Sequence, residues 1–386
     1  MSQTLKILKI LYSAFGFRIK YIGILIFRTF IGALMTVTLF LDKIFFPGAA
    51  KQKIEKPVFL IGHLRSGTTF LHRFLTENCE ELRGFAMWEM VFPSIFMRKI
   101  IKPFLPLVKN LSFDGVWDPK IHKTDLFSME TDDIALSMRY FDGLLSWIYF
   151  YCWQNFDESH TFEKELVEVA GQEKFAEYLQ EIHRKNIWKT GRRMFSKSFA
   201  QLFAVDKIEE IYENPRIMLI IRNPLEAVPS MMSLEKRVQE SLNNYSSQPA
   251  ELQQRFLRNM YRTSLFYYKM FDEIAEKKKN SPNFLLLTHK QLMTDFDNTF
   301  DRIISFCDLK KDEKFVSALK KQSEKQKTFK TEHIYSLEQF GLTEDQVRRD
   351  FAFVFEKRQK GQHDARHDHG YRRGVLNIVF GGHFFS

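Results

Sequence analysis

Three stretches of the chain are unbroken apolar runs: Val58 to Ile61, Ile217 to Ile221 and Phe284 to Leu287, each close to Pro, Gly or Asn. Such runs mark strands buried on both faces of a parallel sheet, since a half-exposed strand would alternate apolar with polar residues. Stretches of helical periodicity lie between and after them, among them Phe70 to Leu75 and Phe300 to Phe306. Strands alternating with helices predict an α/β fold, with a central, mostly parallel sheet flanked by helices in three layers.

The first fifty residues follow another pattern. Leu5, Leu8, Tyr12 and Phe15 recur at helical spacing beside Lys6 and Lys9, which predicts a short basic amphipathic helix. Tyr21 to Leu41 is apolar except for Arg28 and a few threonines, and its 21 residues would just cross a hydrocarbon core about 30 Å thick. Arg28 lies well inside the run, where it would cost about 2.5 to 3.5 kcal/mol near a bilayer centre. A helix lying in the membrane interface, or packed on the rest of the protein, accounts for Arg28 with less strain. No small-residue cleavage site follows, so the run does not read as a secretory signal. Past Asp42, Pro47-Gly48 marks a turn and a basic linker, Lys51 to Lys56, leads into the strand-helix region.

Composition narrows the partners. With 45% apolar and 27% charged residues in 386, the chain has ordinary globular composition and material for a packed core. Its 40 phenylalanines point to aromatic-rich packing, or to an apolar pocket for a ligand. A net charge of +10 favours anionic partners. Zinc-finger spacing, an aromatic RNA-binding signature and a heptad zipper are all missing from the sequence, so nucleic acid is not expected. A phosphorylated small molecule or a membrane surface fits better. Cys79, Cys152 and Cys307 are few, odd in number and widely separated, which argues for reduced thiols in a cytosol-facing protein.

The chemistry centres on Gly62-His63-Leu64-Arg65-Ser66-Gly67-Thr68-Thr69, placed after a predicted strand and before a helix. This is a phosphate cradle: glycines let backbone N–H groups approach an anion, and the helix start adds partial positive charge. The nucleotide-hydrolase version, G-x-x-x-x-G-K-[ST], carries a lysine where this chain has Thr68. A kinase or NTPase thereby loses its main protein cation, while Arg65 stands earlier in the loop as an alternative. Further on, Arg222-Asn223-Pro224 ends a strand, and Ser230 falls eight residues after Arg222. An arginine at a strand end and a serine on the next helix can share one phosphate. Glu89, in Met87-Trp88-Glu89-Met90, is a lone carboxylate in an apolar stretch 24 residues after Arg65, surroundings that raise a buried carboxyl toward a useful range for a base.

The loop Arg65-Ser66-Gly67-Thr68-Thr69 resembles that of the sulfotransferase superfamily, with Leu64 where the family has proline. His333 to Leu342 looks like the closing segment of a bacterial branch, so the resemblance runs from Pro57 to Phe355. It implies a P-loop-like fold and sulfuryl transfer from 3′-phosphoadenosine 5′-phosphosulfate (PAPS) to a hydroxyl, with no metal required. The loop backbone around Gly67, with Ser66, Thr68 and Thr69, would hold the 5′-phosphosulfate, with Arg65 near the transferred group. Arg222 and Ser230 would bind the 3′-phosphate. Lys197, in Met194-Phe195-Ser196-Lys197-Ser198, resembles a lysine near the scissile bond, although Phe199 replaces the family's proline. Glu89 would be the base, with His122 and the pair Asp132 and Asp133 as rivals. Thr288-His289-Lys290-Gln291-Leu292 departs from the family's acidic segment and receives no catalytic role.

The expected organisation is an N-terminal, membrane-associated segment over 1–50, a catalytic domain over 51–360 and a tail or closing loop over 361–386. The expected location is the cytoplasm, at a membrane. The acceptor would be a small molecule or lipid with a hydroxyl; the apolar N-terminus favours a lipid, sterol or other hydrophobic alcohol. The alternatives are a P-loop kinase or NTPase, and a membrane-associated nucleotide-binding protein without chemistry.

Overall fold

The computed structural model describes residues 3–108, 125–156, 161–328 and 336–356. His122 and the segment 361–386 lie outside these, as do the first three residues of the closing segment, His333 to Tyr335. Five strands, β1 Val58–Gly62, β2 Leu82–Arg83, β3 Arg193–Lys197, β4 Arg216–Ile221 and β5 Phe284–Thr288, form one sheet in the order β2-β3-β1-β4-β5. Every pairing is parallel, with Val58 opposite both Phe195 and Arg216, and Ile217 opposite Phe284. The apolar runs account for β1, β4 and β5. The other two strands escape that reading because β2 is only two residues long and β3, Arg-Met-Phe-Ser-Lys, is charged at both ends.

Side chains along a strand point alternately to the two faces, and here each face has its own core. Phe59, Ile61, Ile217 and Leu219 join a large cluster with Leu179, Val228, Met231 and Phe271. Val58, Leu60, Met218 and Ile220 pack with Leu71, Leu75, Phe300 and Ile303. The result is three layers, with helices on both sides of the sheet.

At the N-terminus, α1 (Gln3–Phe15) and α2 (Ile19–Phe45) are both helical. The face that α1 buries is not the one expected. Ile7, Ile10, Leu11 and Phe15 are inside, while Leu5 and Tyr12 are 55% and 66% exposed. The helix is apolar on more than one side, and the tertiary partner decides: Phe15 sets its ring edge-on to Trp153 at 4.8 Å. Pro47-Gly48, expected as a turn, opens a one-turn helix, Pro47–Ala50, with proline at the start, where its missing N–H costs nothing.

α2 is packed along the domain. Tyr21, Leu25, Arg28, Ile31, Met35, Leu39 and Asp42 form one buried stripe. The Arg28 guanidinium lies 3.6 Å from the centre of the Phe141 ring, and burial lowers its pKa to about 10, with Asp142 opposing. Asp42 accepts hydrogen bonds from the Ser94 hydroxyl (2.8 Å) and from the Ile95 (3.0 Å) and Phe96 (2.8 Å) amides. Its carboxylate also pairs with Lys185 at 3.2 Å. The two buried charges of the helix thus lie against protein groups, Asp42 through hydrogen bonds and an ion pair and Arg28 through the Phe141 ring, its Nε and Nη2 making no hydrogen bond among the described residues. On the opposite side Ile26, Phe27, Phe30, Val37, Phe40, Ile44 and Phe45 are all exposed.

Candidate active site

Because the strands are parallel, their carboxyl ends share one edge, and four connections meet there. β1 runs into the loop, β3 ends at Lys197, β4 leads to Arg222 and β5 to His289. β1 is central, with the chain completing one side of it (β2, β3) before the other (β4, β5). Ligands of open α/β sheets bind at such a reversal.

The loop has the backbone of an anion cradle. Arg65 (φ 70°) and Gly67 (φ 88°) are both left-handed, which turns successive N–H groups toward one concavity. Helix Thr68–Asn78 starts directly after Gly67. Gly62 has no room for a side chain: a Cβ would stand 2.8 Å from both the Ile220 carbonyl oxygen and Ser66 Oγ. Ser66 Oγ donates to the His63 carbonyl at 2.6 Å, closing the turn from inside.

Cations converge on this loop. Lys197, 2% exposed, donates from Nζ to Thr69 Oγ1 at 3.0 Å. It reaches the loop from the neighbouring strand and brings a positive charge to a loop that holds Thr68 in place of lysine. Burial pulls the Lys197 pKa down, Glu130 pulls it up and Arg73 adds to the lowering. Arg65 Nε donates to Ser230 Oγ at 3.2 Å, and Arg222 donates to the Arg65 carbonyl at 2.7 Å while pairing with Glu226 at 3.1 Å. The expected site residues Arg65, Ser66, Gly67, Thr68, Thr69, Lys197, Arg222 and Ser230 are thus on one edge of the sheet.

The carboxylates are arranged differently. Glu89 accepts from Arg83 at 2.6 Å and lies 3.5 Å from Arg98, and its other oxygen takes the Ala86 amide at 3.0 Å. It therefore caps the start of its own helix, Met87–Val91, between two guanidinium groups. Asp132 accepts from His183 at 3.0 Å and from Ser196. Asp133 takes the Phe199 and Ala200 amides at 2.7 and 2.9 Å. These two aspartates fasten the end of β3.

Two residues near the loop, Glu130 and Arg73, were not picked out from the sequence, and a third, His289, lies in the segment given no catalytic role. Glu130 pairs with Arg73 and lies 3.8 Å from Lys197 Nζ. Arg73 was within reach of sequence reasoning, since it is one helical turn after Thr69 on the same face. Glu130 carried no signal beyond its acidic neighbours. His289 stands against the loop, its Cδ2 only 3.0 Å from where a Gly67 Cβ would be. Burial first, then Arg222 and Arg65, lower its pKa to about 4, so a neutral ring closes this side of the cradle.

The sequence matches the sulfotransferase family over residues 57–313. No curated protein matches it significantly. Among solved structures, the sulfotransferase STF1 from Mycobacterium tuberculosis H37Rv is similar, with a TM-score of 0.64, 19% identity and 91% of each chain covered. STF9 from Mycobacterium avium gives a TM-score of 0.62 at 15% identity, over 83% of this chain and 81% of its own. At these identities the likeness speaks for the fold, and the family match speaks for the chemistry. With that match covering well over half of the chain, the protein belongs to the sulfotransferase family.

Proposed function

We propose that the protein transfers a sulfuryl group from PAPS to the hydroxyl of a hydrophobic alcohol, such as a lipid or sterol, at a membrane surface. The observation that carries the reading is the pairing of a lysine-free phosphate loop with a lysine delivered from β3, the Lys197 to Thr69 contact. A triphosphatase needs its cation within the loop, on the β- and γ-phosphates. A phosphosulfate is a shorter chain whose terminal sulfur is the reacting atom, where Lys197 and Arg65 can meet charge as it develops.

In this reading the loop amides, Ser66, Thr68 and Thr69 hold the 5′-phosphosulfate. The cradle fits such a group, because two left-handed residues, Arg65 and Gly67, aim the loop amides toward one concavity. When bound, PAPS supplies an activated sulfuryl group. Arg222 and Ser230 take the 3′-phosphate, exchanging their present bonds to Arg65 for charge-assisted bonds to phosphate oxygens.

The N-terminal segment supports a hydrophobic acceptor. α2 uses one face for the domain and leaves the other apolar and exposed, and Ile100, Phe104 and Leu107, further along the chain, are exposed as well. Lys43, Lys99 and Lys102, on the same stretches of chain, are exposed too. An exposed apolar face accompanied by lysines suits a helix lying in the headgroup region of an anionic leaflet. The buried Arg28 and Asp42 contacts argue against a crossing helix, since crossing would strip both charges of their partners.

The test is incubation of the purified protein with radiolabelled PAPS and a total lipid extract in vesicles. Labelled lipid should appear together with adenosine 3′,5′-bisphosphate (PAP), and the protein should float with the vesicles. Label on soluble carbohydrate alone would refute the hydrophobic acceptor. Phosphate transfer from magnesium-ATP would point to a kinase.

A further inference from the structure

Glu235 is a buried carboxyl that the reading above does not use. It lies on helix Pro224–Asn243, five residues past Ser230, and is only 3% exposed. Its Oε2 is buried with no hydrogen-bond partner among the described residues. Glu89 and Glu130 are both held by cationic side chains. Leaving a buried carboxyl unpaired is costly, and such a cost is typical of a group kept for a ligand or a reaction.

The surroundings say which. Glu235 is an electrostatic neighbour of Arg65, the loop arginine nearest the transferred group. Its helix packs on the segment that carries Tyr149 and Cys152, with Gln239 Nε2 donating to the Ile148 carbonyl at 3.4 Å and Trp153 Nε1 donating to Gln239 Oε1 at 3.2 Å. Glu235 thus shares a helix with Ser230, whose hydroxyl accepts at 3.2 Å from Arg65, one of the two cations assigned to the sulfuryl group.

We propose that Glu235 is the general base that takes the proton from the acceptor hydroxyl, a role that rests on the sulfuryl-transfer reading. As the acceptor oxygen bonds to sulfur, the bond from sulfur to the bridging oxygen of the 5′-phosphate breaks. The electron pair stays on that oxygen, giving PAP, and the hydroxyl proton passes to the Glu235 carboxylate, which later returns it to solvent. Arg65 and Lys197 balance the charge on the transferring group.

Burial raises the Glu235 pKa to about 8, against the opposing pull of Arg65. The groups facing it do not confuse the signal. Burial pushes the Tyr149 phenol and the Cys152 thiol well above their ordinary values, so both stay neutral while Glu235 titrates. Lys197 is lowered, and its deprotonation would depress activity on the alkaline side. The rate should therefore rise with pH through about 8 and fall again as Lys197 loses its proton.

The experiment measures PAP release from PAPS with water as the acceptor across this pH range, together with calorimetric binding of PAP, for wild type, Glu235→Gln and Glu235→Asp. Glu235→Gln should lose roughly 10²- to 10⁴-fold in rate, lose the rising limb and bind PAP as wild type does. Glu235→Asp should keep the limb at a reduced rate, so the comparison survives if Glu235→Gln folds poorly. A rising limb unchanged in Glu235→Gln, or a rate loss matched by lost PAP affinity, would overturn the proposal and leave the donor reading standing. Failure of wild type to bind PAP would sink both.

Discussion

Glu235→Gln also makes a prediction about stability that needs no substrate. The ordinary value of 4.5 for this carboxyl rises to about 8 in the fold. At about 1.4 kcal/mol per pH unit, that difference is worth about 5 kcal/mol between the neutral and charged forms. The sign follows from proton linkage. Between 4.5 and about 8 the folded protein holds a proton that the unfolded chain has released, so stability is full below the lower value and is lost as pH rises toward the upper one. A domain is stabilised by only about 5 to 15 kcal/mol in total, so the effect should be large. Glutamine keeps the shape and cannot ionise. Urea unfolding from about pH 5 to pH 8.5 should therefore give two curves that start close together and diverge, with the variant more stable at the alkaline end. His63, His72 and His289 are all lowered to about 4. They add acid sensitivity below their ordinary value of 6.5, but equally in both proteins, and so cancel in the difference. Parallel curves at all pH values would refute the claim that Glu235 is held neutral by burial.

Gly62→Ala should cost about 1 to 3 kcal/mol and weaken PAP binding further, because the added Cβ meets backbone at 2.8 Å; thermal melts with and without PAP separate the two effects. Asp42→Ala should cost about 1 to 3 kcal/mol in urea unfolding, because it removes the acceptor of the Ile95 and Phe96 amides and leaves Lys185 with Glu181 and Ser94 with the Thr38 carbonyl. Phe30→Ser with Phe40→Ser should leave the melting temperature in place, since the two rings are 62% and 60% exposed, while reducing flotation with anionic vesicles. An equal loss of stability would mean that this face is packed against protein.

Much of the fold is legible in the chain because three of the five strands are unbroken apolar runs, and the phosphate loop is legible because it is local. Eight consecutive residues, Gly62 to Thr69, carry both the turn chemistry and the helix start. Long-range geometry is where sequence reasoning stops. Lys197 could be nominated by resemblance, but its contact with Thr69 depends on β3 lying beside β1, and β3 itself lacks the apolar run that would announce it. The acidic residues show the same limit. Glu89 looks isolated in sequence because its partners come from Arg83 on β2 and Arg98 on another helix. Glu235 sits beside lysine and arginine in the chain, in Glu235-Lys236-Arg237, and reads as a solvated charge until the helix is seen to turn it inward. On α1 the periodicity was correctly helical, yet the buried stripe was set by Trp153, far along the chain.

The central claim is that the two anion-binding segments serve two separate phosphates of one nucleotide. Titration calorimetry with PAP, adenosine 5′-monophosphate and magnesium-ATP tests it directly, in wild type and in Arg222→Ala. PAP should bind more tightly than adenosine monophosphate by about 1.5 to 3 kcal/mol, the worth of charge-assisted hydrogen bonds to the 3′-phosphate, and Arg222→Ala should erase that margin. Magnesium-ATP binding as tightly as PAP, or a margin that survives the loss of Arg222, would contradict the account.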